Sequence, residues 1–370
     1  MPSKRAIAPS SCVLFTLVTG MLSMVPGVLH GATPPTRQQQ TTYSPSPGPG
    51  LSDMVVLSSG VVYILGASDD GPFISRVEAN GAVAWTSFDA PIQAPANNGP
   101  LAVDPAGNAY FALNDFSGPV QQAVIVKYSP SGVRLGEARP ASPNPGSNIA
   151  SNGVVLDSTR NTLYGSLEFL GTDGKFAILA VQYDLNLNEV RRNVYTVPPP
   201  AGALGARGFG GIFVSTAGNV TLAGFDMPAN NTAQVVLLRY GPDLADRVVE
   251  HPGQRNPQRA QSDPFGGMHE FMQEPSGAFV YRKIAPELGS VFPNPGFGAL
   301  VGVGPDGETY FSRGFPSRQV QRFDTAGAAV WSPPLATDAN KSAASFARVI
   351  NPTVNLYLVG TFSGGVYLDR

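Results

Sequence analysis

GNAYFALNDFSGPVQQAVIVKYSPSGVRL, the stretch from residue 107 to residue 135, decides the fold. It contains three short runs rich in β-branched and aromatic residues, at 109 to 113, at 123 to 128 and from Val133 onward. Glycine, proline, asparagine and serine separate these runs, and such residues favour turns over strand interiors. The stretch therefore predicts three consecutive β-strands joined by short loops.

The first part of this pattern returns along the whole chain. A turn followed by a strand occurs as SSGVVYILG (58–66), PAGNAYFAL (105–113), STRNTLYGS (158–166), STAGNVTLAG (215–224), PSGAFVYRK (275–283), PDGETYFSR (305–313) and PTVNLYLVG (352–360). An apolar strand precedes each copy, at 54–57, 101–103, 153–156, 211–214, 269–272, 299–303 and 346–350. The copies recur roughly every 49 residues, a spacing typical of propeller blades.

Two further strands follow the repeated pair. The third has a basic residue or glutamine just before a valine or an aromatic residue, as in FISRV (73–77), VIVKY (124–128), AVQY (180–183), VVLLRY (235–240) and VQRF (320–323). A fourth run follows a turn, at 81–85, 132–135, 188–192, 245–250 and 327–331. Four antiparallel strands with short connections form one propeller blade, so the sequence predicts an all-β chain folded as a single β-propeller.

The number of blades has two solutions. Only 30 residues separate Gly277 from Gly307, which is too few for a complete blade. Either the fifth blade has lost its outer strands in a seven-bladed ring, or residues 269 to 296 are an insertion in a six-bladed ring. The 89 residues from Gly218 to Gly307 are close to two periods, which favours seven blades.

The last copy ends at Arg370, inside its third strand, so we expect the last blade to be incomplete, with three strands. The one N-terminal segment that could close it, at 41 to 43, is followed by three prolines, and proline cannot donate a ladder hydrogen bond. We therefore expect residues 33 to 50 to remain outside the ring.

The first strand of each blade is expected to line the centre of the ring and to be covered by its neighbours. The first strands of the second, third and fourth blades, at 101–103, 153–156 and 211–214, are thus predicted to be the most buried parts of the chain. On this basis Leu156→Ala would destabilise the fold by about 2 to 5 kcal/mol through cavity formation.

Residues 1 to 32 have the layout of a secretory signal peptide, with a basic start, an apolar run and small residues at its end. A membrane anchor is the alternative, but polar and helix-breaking residues dilute the run below what a spanning helix needs. Removing this segment removes Cys12, the only cysteine, so the mature chain forms no disulfide. Residues 33 to 50 are predicted as a Pro/Gln/Ser-rich linker, and residues 51 to 370 as the propeller domain of a secreted, periplasmic or extracellular protein.

Composition limits the possible partners. Charged residues make up 14% of the chain, well below the usual quarter, while glycine and proline are abundant, as in all-β exported proteins. A formal net charge of −2 provides no basic surface for nucleic acid. We expect no stable membrane insertion, a monomer, and an unknown protein or carbohydrate ligand.

The motif G-N-x-Y, at 107 to 110, and the motif φ-x-φ-K/R-Y-x-P-x-G, at 124 to 132, resemble the repeats of secreted bacterial β-propellers of the seven-bladed, NHL-related type. The resemblance covers residues 51 to 370 and rests on turn and strand residues. It implies the fold. Most proteins of this kind are binding or scaffold modules, and lyases and other hydrolytic enzymes are a minority, so the fold does not choose between them.

Candidate site residues follow from where loops meet at one mouth of a propeller channel. These loops, and a strand start with acid/base potential, supply Asp69, Asp70, Asn114, Asp115, Glu168, Asp173, Asp226, His269, Glu270, Arg313 and Arg318. The alternative interpretation is that the loop residues are turn formers and solvated tips, and that His269 is a hydrogen-bonded residue at a strand start.

No cofactor and no metal site is predicted. The motifs G-x-S-x-G and G-x-x-x-x-G-K do not occur, and the Gly-rich run at 202 to 211 is interpreted as a loop between blades and not as a dinucleotide fingerprint. Two histidines beyond the signal peptide, His251 and His269, are too few for a closed structural zinc site unless carboxylates join them.

Two functions remain open at this stage. The favoured one is a secreted, non-enzymatic propeller that serves as a binding or interaction scaffold. The alternative is a propeller enzyme, a polysaccharide lyase or hydrolase, with the carboxylates of the loops and His269 as its acid/base groups. The kind of side chain that converges at one site distinguishes the two.

Overall fold

The structure is a computed structural model, and it describes residues 39–45, 50–89, 94–95, 101–197, 205–227, 234–254, 256–262, 268–273, 279–285, 291–293, 299–304, 308–313, 319–336, 341–350, 355–362 and 365–370. The predicted signal peptide, residues 1 to 32, lies outside the described residues. Within the described ranges all regular structure is β, and no helix is long and apolar enough to cross a membrane. The all-β prediction is confirmed.

In the ranges given above, the strands form six hydrogen-bonded sheets, and the first strand of these ranges, β1, lies at Gln40–Tyr43. The first sheet contains β2 (Gly50–Val56), β3 (Val62–Ser68), β4 (Gly71–Val77) and β5 (Val83–Phe88). The second contains β6 (Ala94–Pro95), β7 (Ala102–Val103), β8 (Ala109–Asp115), β9 (Gln122–Tyr128) and β10 (Arg134–Ala138).

The third sheet has eight strands in two consecutive halves. Its strands are β11 (Ile149–Asp157), β12 (Thr162–Leu170), β13 (Phe176–Asp184), β14 (Glu189–Tyr195), β15 (Gly205–Val214), β16 (Val220–Met227), β17 (Gln234–Tyr240) and β18 (Arg247–Gln254). One parallel pairing, Phe176 with Gly205, joins β13 to β15, and all other pairings in this sheet are antiparallel.

Three four-stranded sheets complete the chain. The fourth contains β19 (Asn256–Ser262), β20 (Met268–Gln273), β21 (Phe279–Ala285) and β22 (Val291–Pro293). The fifth contains β23 (Ala299–Val303), β24 (Thr309–Arg313), β25 (Gln319–Phe323) and β26 (Leu335–Ala336). The sixth contains β27 (Lys341–Ile350), β28 (Asn355–Phe362) and β29 (Gly365–Asp369), together with β1.

The sheets follow one another around a closed ring. First strands of neighbouring groups lie against each other, as β11 does with β15, β15 with β19, β19 with β23, and β23 with β27. The ring closes where β27 contacts β2, and the second sheet contacts the first through β6 and the third through β8. A ring of antiparallel sheets, each built from consecutive strands, is a β-propeller.

The repeated turn residues have a backbone reason. Gly107 and Gly132, in the turns before β8 and β10, have φ of 83° and 82°, a left-handed conformation that glycine adopts without steric cost. In each turn the glycine amide donates a hydrogen bond to a carbonyl three residues earlier. The turn glycines therefore set the position at which each strand begins.

In two of the third strands, the repeated basic residue joins one sheet to the next. Arg76 on β4 donates from Nη1 to the carbonyl oxygen of Pro130 at 2.6 Å, across to the second sheet. Lys127 on β9 donates from Nζ to the carbonyl oxygen of Leu185 at 2.8 Å, across to the third sheet. At these two positions the repeated residue is thus a contact between sheets, whereas Arg239 and Arg322 pair with Glu250 and Glu308 of their own sheets.

The most buried strands are not the predicted ones. All seven residues of β8 are buried, and Val124, Ile125 and Val126 of β9 are fully enclosed, whereas Leu156 on β11 is only partly buried. Second and third strands have a neighbouring strand on each edge, while a first strand has its free edge toward the centre of the ring. The prediction that first strands are the most buried parts is wrong.

The prediction of a three-stranded last blade is also wrong. β1 pairs antiparallel with β29, with Gln40 opposite Asp369 and Tyr43 opposite Val366, and so supplies the fourth strand. Backbone bonds between Gln39 and Arg370, at 2.9 and 3.2 Å, extend this ladder. The prolines follow the strand and do not interrupt it, so part of the predicted linker lies inside the ring.

The fourth sheet shifts the predicted strand register. Its first strand is β19, and the apolar run at 269 to 272, predicted as a first strand, lies in the second strand, β20. The sequence of β19, NPQRAQS, has no apolar period and therefore gives no strand signal. The count of seven blades, against six, stays a prediction.

The Gly-rich run at 202 to 211 is not entirely a loop. β15 begins at Gly205 and pairs with β16 through most of its length, with a register shift between Gly208 and Gly211. Glycine lowers the strand propensity that sequence patterns detect, yet it permits a bulge and a close approach of neighbouring backbones. The interpretation of this run as a loop between blades is wrong from Gly205 onward.

Candidate functional site

Four predicted candidates lie toward the ends of second strands, where they are buried. Asn114 and Asp115 end β8 and are each 8% exposed, and Glu168 on β12 and Asp226 on β16 are buried as well. The interpretation of all these residues as solvated tips is therefore wrong for this group.

Contacts between neighbouring strand groups occupy two of the four. Asn114 Oδ1 accepts a hydrogen bond from the backbone amide of Ser151 at 2.8 Å, which ties the second sheet to the third. Asp226 Oδ2 accepts a hydrogen bond from the Tyr195 hydroxyl at 3.0 Å, which ties together the two halves of the third sheet. Both residues therefore have a structural role in the ring.

The remaining described candidates are exposed. Asp69 and Asp70 form the turn between β3 and β4, Asp173 lies in the turn before β13, and Arg313 ends β24. Asp173 accepts a hydrogen bond from the Lys175 amide at 3.1 Å, as turn residues commonly do. These positions agree with turn formers and solvated ends.

The predicted pair His269 and Glu270 occupies consecutive positions of β20 and does not lead a first strand. Their backbones pair with β19 on one side and with β21 on the other. The side chains of both residues, and Arg318, lie outside the described residues. Their assignment as acid/base or binding groups stays a prediction.

The structure places a polar groove between the first and second sheets, with a volume of about 480 Å³. This volume falls in the range of about 300 to 1,000 Å³ that small-molecule sites occupy. Its lining residues are Ser87, Phe88, Asp89, Asp115, Ser117, Tyr128, Gly132, Arg134, Glu137 and Arg139. Asp115 is the one predicted candidate that lines this groove.

Five charged groups alternate in sign along the groove. Arg134 lies between Asp89, at 3.1 Å from Nε, and Glu137, at 2.6 Å from Nη2. Arg139 lies between Glu137 and Asp115, at 2.7 Å from each. Three carboxylates and two guanidinium groups thus form one continuous chain of ion pairs, which we call the charged chain.

A bulge in β10 brings the charged chain onto one face. Arg134 is opposite Tyr128 and Glu137 is opposite Val126, with a register shift at Leu135 between them. Without the shift, residues three positions apart would point to opposite faces of a strand. Because of it, Arg134 and Glu137 both lie on the face of the second sheet that borders the first.

Four residues of the groove were not predicted from the sequence, namely Asp89, Arg134, Glu137 and Arg139. A signal exists in the spacing R-x-x-E-x-R of residues 134 to 139, which has too many charges for an ordinary packed strand face. Simple alternation divides these charges between two faces, so only knowledge of the bulge would have united them.

Hydrogen bonding fixes the charge state of the groove. Bonds from the Ser117 hydroxyl and amide, and then from Arg139, lower the pKa of Asp115 to about 2. Burial opposes ionisation of Glu137, but the hydrogen bonds from Arg139 and Arg134 hold its pKa below the ordinary value. Burial, with the adjacent charge of Asp89, raises the pKa of Tyr128. At neutral pH, Asp115 and Glu137 are ionised acceptors and Tyr128 is a neutral donor.

Tyr128 is held in the groove wall by two contacts. Its ring stacks on Phe111 with centroids 5.6 Å apart, and its hydroxyl lies 3.2 Å from Asp89 Oδ2. Asp89 is 6% exposed, and its amide also donates to the carbonyl oxygen of Pro72. The groove floor is therefore packed, and hydrogen bonds hold its polar atoms in place. Across the described ranges, no group of three or more His, Cys, Asp or Glu side chains could hold a metal ion.

Comparison with known proteins supports the fold. The sequence matches no protein-family model and no curated protein. Puromycin hydrolase has a similar structure, with a TM-score of 0.55 and 14% identity over 84% of this chain, which spans 50% of the length of that protein. The β-propeller domain of Myceliophteria thermophila Cps50 (Swd1) has a TM-score of 0.55 and 10% identity, covering 89% of this chain and 99% of that domain. The Dos1 propeller has a TM-score of 0.50 and 11% identity, covering 89% of this chain and 78% of that one. The chain is a β-propeller.

Proposed function

We propose that this chain is an exported, monomeric, non-enzymatic β-propeller that serves as a binding scaffold for a protein or carbohydrate ligand. The groove between the first and second sheets is its binding site. Seven blades of the NHL-related type form the scaffold. The low fraction of charged residues agrees with an exported all-β chain. The packed floor of the groove agrees with recognition of a ligand by a preformed surface.

The engagement of the groove carboxylates is the observation that favours binding over acid/base catalysis. General acid or base catalysis at neutral pH is most efficient when the pKa of the group lies near the working pH. The pKa of Asp115 is about 2, and the pKa of Glu137 is also lowered, so neither carboxyl holds a proton to donate. Both carboxylates instead receive hydrogen bonds from arginines, which fixes their positions.

The enzyme alternative keeps one source of support. A similar structure is that of puromycin hydrolase, and a sialidase is a further similar structure, with a TM-score of 0.50 and 9% identity over 83% of this chain. At such low identity the likeness concerns the fold, since one fold hosts many functions. The alternative therefore depends on His269 and the carboxylates of the loops.

Turnover measurements on the full chain test the proposal. The protein is incubated with hydroxyethylcellulose, amylose and polygalacturonate, and reducing ends and unsaturated products are measured together with retardation in affinity electrophoresis. We expect no product above the level given by heat-inactivated protein. If product forms and its formation is lost in His269→Ala, the chain is an enzyme and the proposal of a non-enzymatic scaffold is wrong.

A further inference from the structure

The charged chain in the groove leaves specific hydrogen-bonding capacity unused. Arg134 donates through Nε and Nη2, and Arg139 through Nε and Nη1. Within the part of the chain that the structure describes, Nη1 of Arg134 and Nη2 of Arg139 have no hydrogen-bond partner. Each oxygen of Glu137 accepts one of these bonds and, as a carboxylate oxygen, can accept a second. The groove therefore presents fixed donors beside fixed acceptors.

The balance of charge in the groove disfavours an ionic ligand. Each guanidinium is already paired with two carboxylates, and three carboxylates against two guanidinium groups leave the charged chain with one excess negative charge. An anion would approach Asp89, Glu137 and Asp115, and a cation would compete with arginines at 2.6 to 3.1 Å from their partners. A neutral ligand with paired donors and acceptors avoids both costs.

An apolar wall faces this polar row. Phe88, the last residue of β5, lines the groove and is 36% exposed. Its ring is positioned by Phe73, with centroids 6.2 Å apart and an interplanar angle of 53°. The Phe88 ring is exposed and held in place, and it lies beside the guanidinium and carboxylate groups of the charged chain. A ligand can therefore stack on the ring with one side and form paired hydrogen bonds with the other.

Vicinal hydroxyl groups on an apolar ring match this arrangement. We propose that the groove binds a neutral saccharide unit, whose ring face packs on Phe88 while adjacent hydroxyls bond to Arg134, Glu137 and Arg139. The inference rests on the proposed scaffold function and specifies its ligand class. The groove volume of about 480 Å³ accommodates a ligand of this kind without rearrangement of the floor.

Binding of the full chain to an array of neutral oligosaccharides tests the inference. The array contains oligomers of hexoses, pentoses, deoxyhexoses and N-acetylhexosamines, and trigalacturonate and hexalysine serve as anionic and cationic comparisons. We expect at least one neutral oligosaccharide to bind, and neither charged probe to bind more tightly. Calorimetry then gives the affinity of the bound sugar for each variant.

Variants separate the groove from the rest of the surface. Arg139→Gln and Phe88→Ala should each weaken sugar binding at least tenfold, because each removes a fixed contact. Arg192→Gln is the matched control, since Arg192 is about as exposed as Arg139, pairs with Glu189 on the outer strand β14 and does not line the groove. Its affinity for the sugar should remain within twofold of the wild type.

Several outcomes overturn the inference. It is wrong if no neutral oligosaccharide binds at millimolar concentration, if trigalacturonate or hexalysine binds more tightly, or if both groove variants bind sugar as the wild type does while remaining folded by circular dichroism. In each case a non-enzymatic scaffold survives, but the assignment of the groove as the site for a neutral sugar is lost. Turnover of the bound sugar, in contrast, removes the scaffold proposal itself.

Discussion

Two junctions of the ring share one kind of contact but differ in the space that they leave open. One lies between the first and second sheets, and the other, which closes the ring, lies between the sixth and first sheets. At the first junction, the Tyr63 hydroxyl donates to the carbonyl oxygen of Gly107 at 2.8 Å. At the closing junction, the Tyr357 hydroxyl lies 3.5 Å from the position that a Cβ atom would take on Gly60, the same distance that Tyr63 has from Gly107. A tyrosine of one sheet thus packs on a turn glycine of the next sheet in both places.

The outer strands differ between the two junctions. Trp85 of β5 covers Gly132 and donates to the carbonyl oxygen of Pro130 at 2.8 Å, while the end of β5 leaves the groove of about 480 Å³ beside it. At the closing junction, Gln39 and Thr41 cover Gly81, and the remaining space is about 10 Å³. An open groove is therefore not a general property of junctions in this ring. Of these two junctions, the open groove occurs at the one that contains Asp89 and the rest of the charged chain.

The sixth sheet itself is closed by a pairing between strands distant in sequence, β1 and β29. The two strands that meet there come from opposite ends of the molecule, and Gln40 and Asp369, which bond at 2.9 Å, are 329 positions apart. Bringing them together closes a loop that contains nearly the whole described chain, and the entropy cost of that closure is offset by the contacts made there. Removal of these contacts should have the largest effect of any change considered below.

A version that begins at Gly50 lacks β1 and tests this first. We expect its melting temperature to fall by roughly 5 °C, because losing several ladder bonds and the hydrogen bond from Gln40 to Asp369 costs a few kcal/mol. The control begins at Gln39 and keeps β1. Equal melting temperatures for the two versions, measured by calorimetry, would show that β1 does not close the ring.

Leu113→Ala measures the packing of the first junction. Leu113 is fully buried in the cluster that joins β3 and β4 to β8 and β9, so cavity formation should cost about 3 kcal/mol. Leu170→Ala is the control, because Leu170 is 37% exposed and should change stability by less than about 0.5 kcal/mol. Urea denaturation gives both values, and similar midpoints would contradict the burial of β8.

These two residues also mark what the sequence allowed us to predict. Leu113 belongs to a strand of mostly apolar residues, two of them aromatic, that follows a turn glycine. Six of the predicted pairs of first and second strands lie at the predicted places. The signal is local, since a glycine with positive φ and a β-branched run are both visible in the sequence itself.

The contacts that escaped prediction are not local. β1 has the sequence QTTY, without an apolar pattern, and becomes a strand because β29 offers it an edge. Strand β19 is polar in the same way. The groove depends on a bulge at Leu135, and one inserted residue reverses the face of every side chain that follows it. Pairing partners and bulges are set by the assembled ring, so single-sequence periodicity does not contain them.

Arg76→Met sharpens the role of the repeated basic residue. The substitution keeps an apolar stem over the Tyr63 ring, 6.0 Å from the guanidinium carbon, but removes the bond to the carbonyl oxygen of Pro130. We expect a loss of about 1 to 2 kcal/mol. Arg191→Met removes the contacts of Arg191 with the carboxylate and the carbonyl oxygen of Asp243, and because these are exposed to solvent it should cost less than Arg76→Met. Equal losses in urea denaturation would mean that the contact between sheets adds nothing.

The smallest expected effect is on the stability of the fold at acidic pH, and it arises from Asp115 in the groove. The pKa of Asp115 is lowered from 3.8 to about 2 by Ser117 first and then by Arg139, so between these values the unfolded chain binds a proton that the folded chain does not. The stabilisation is therefore complete above about pH 4 and is lost as the pH falls toward 2.

Ser117→Ala removes the leading cause and should move the titration midpoint of Asp115 upward, further than Arg139→Gln does. Carbon-detected NMR of the Asp115 carboxyl group measures each midpoint, with Asp184, whose pKa Asn188 lowers at a turn outside the groove, as an internal control that stays constant. A wild-type midpoint near 3.8 would show that the charged chain does not hold Asp115 as the groove geometry requires.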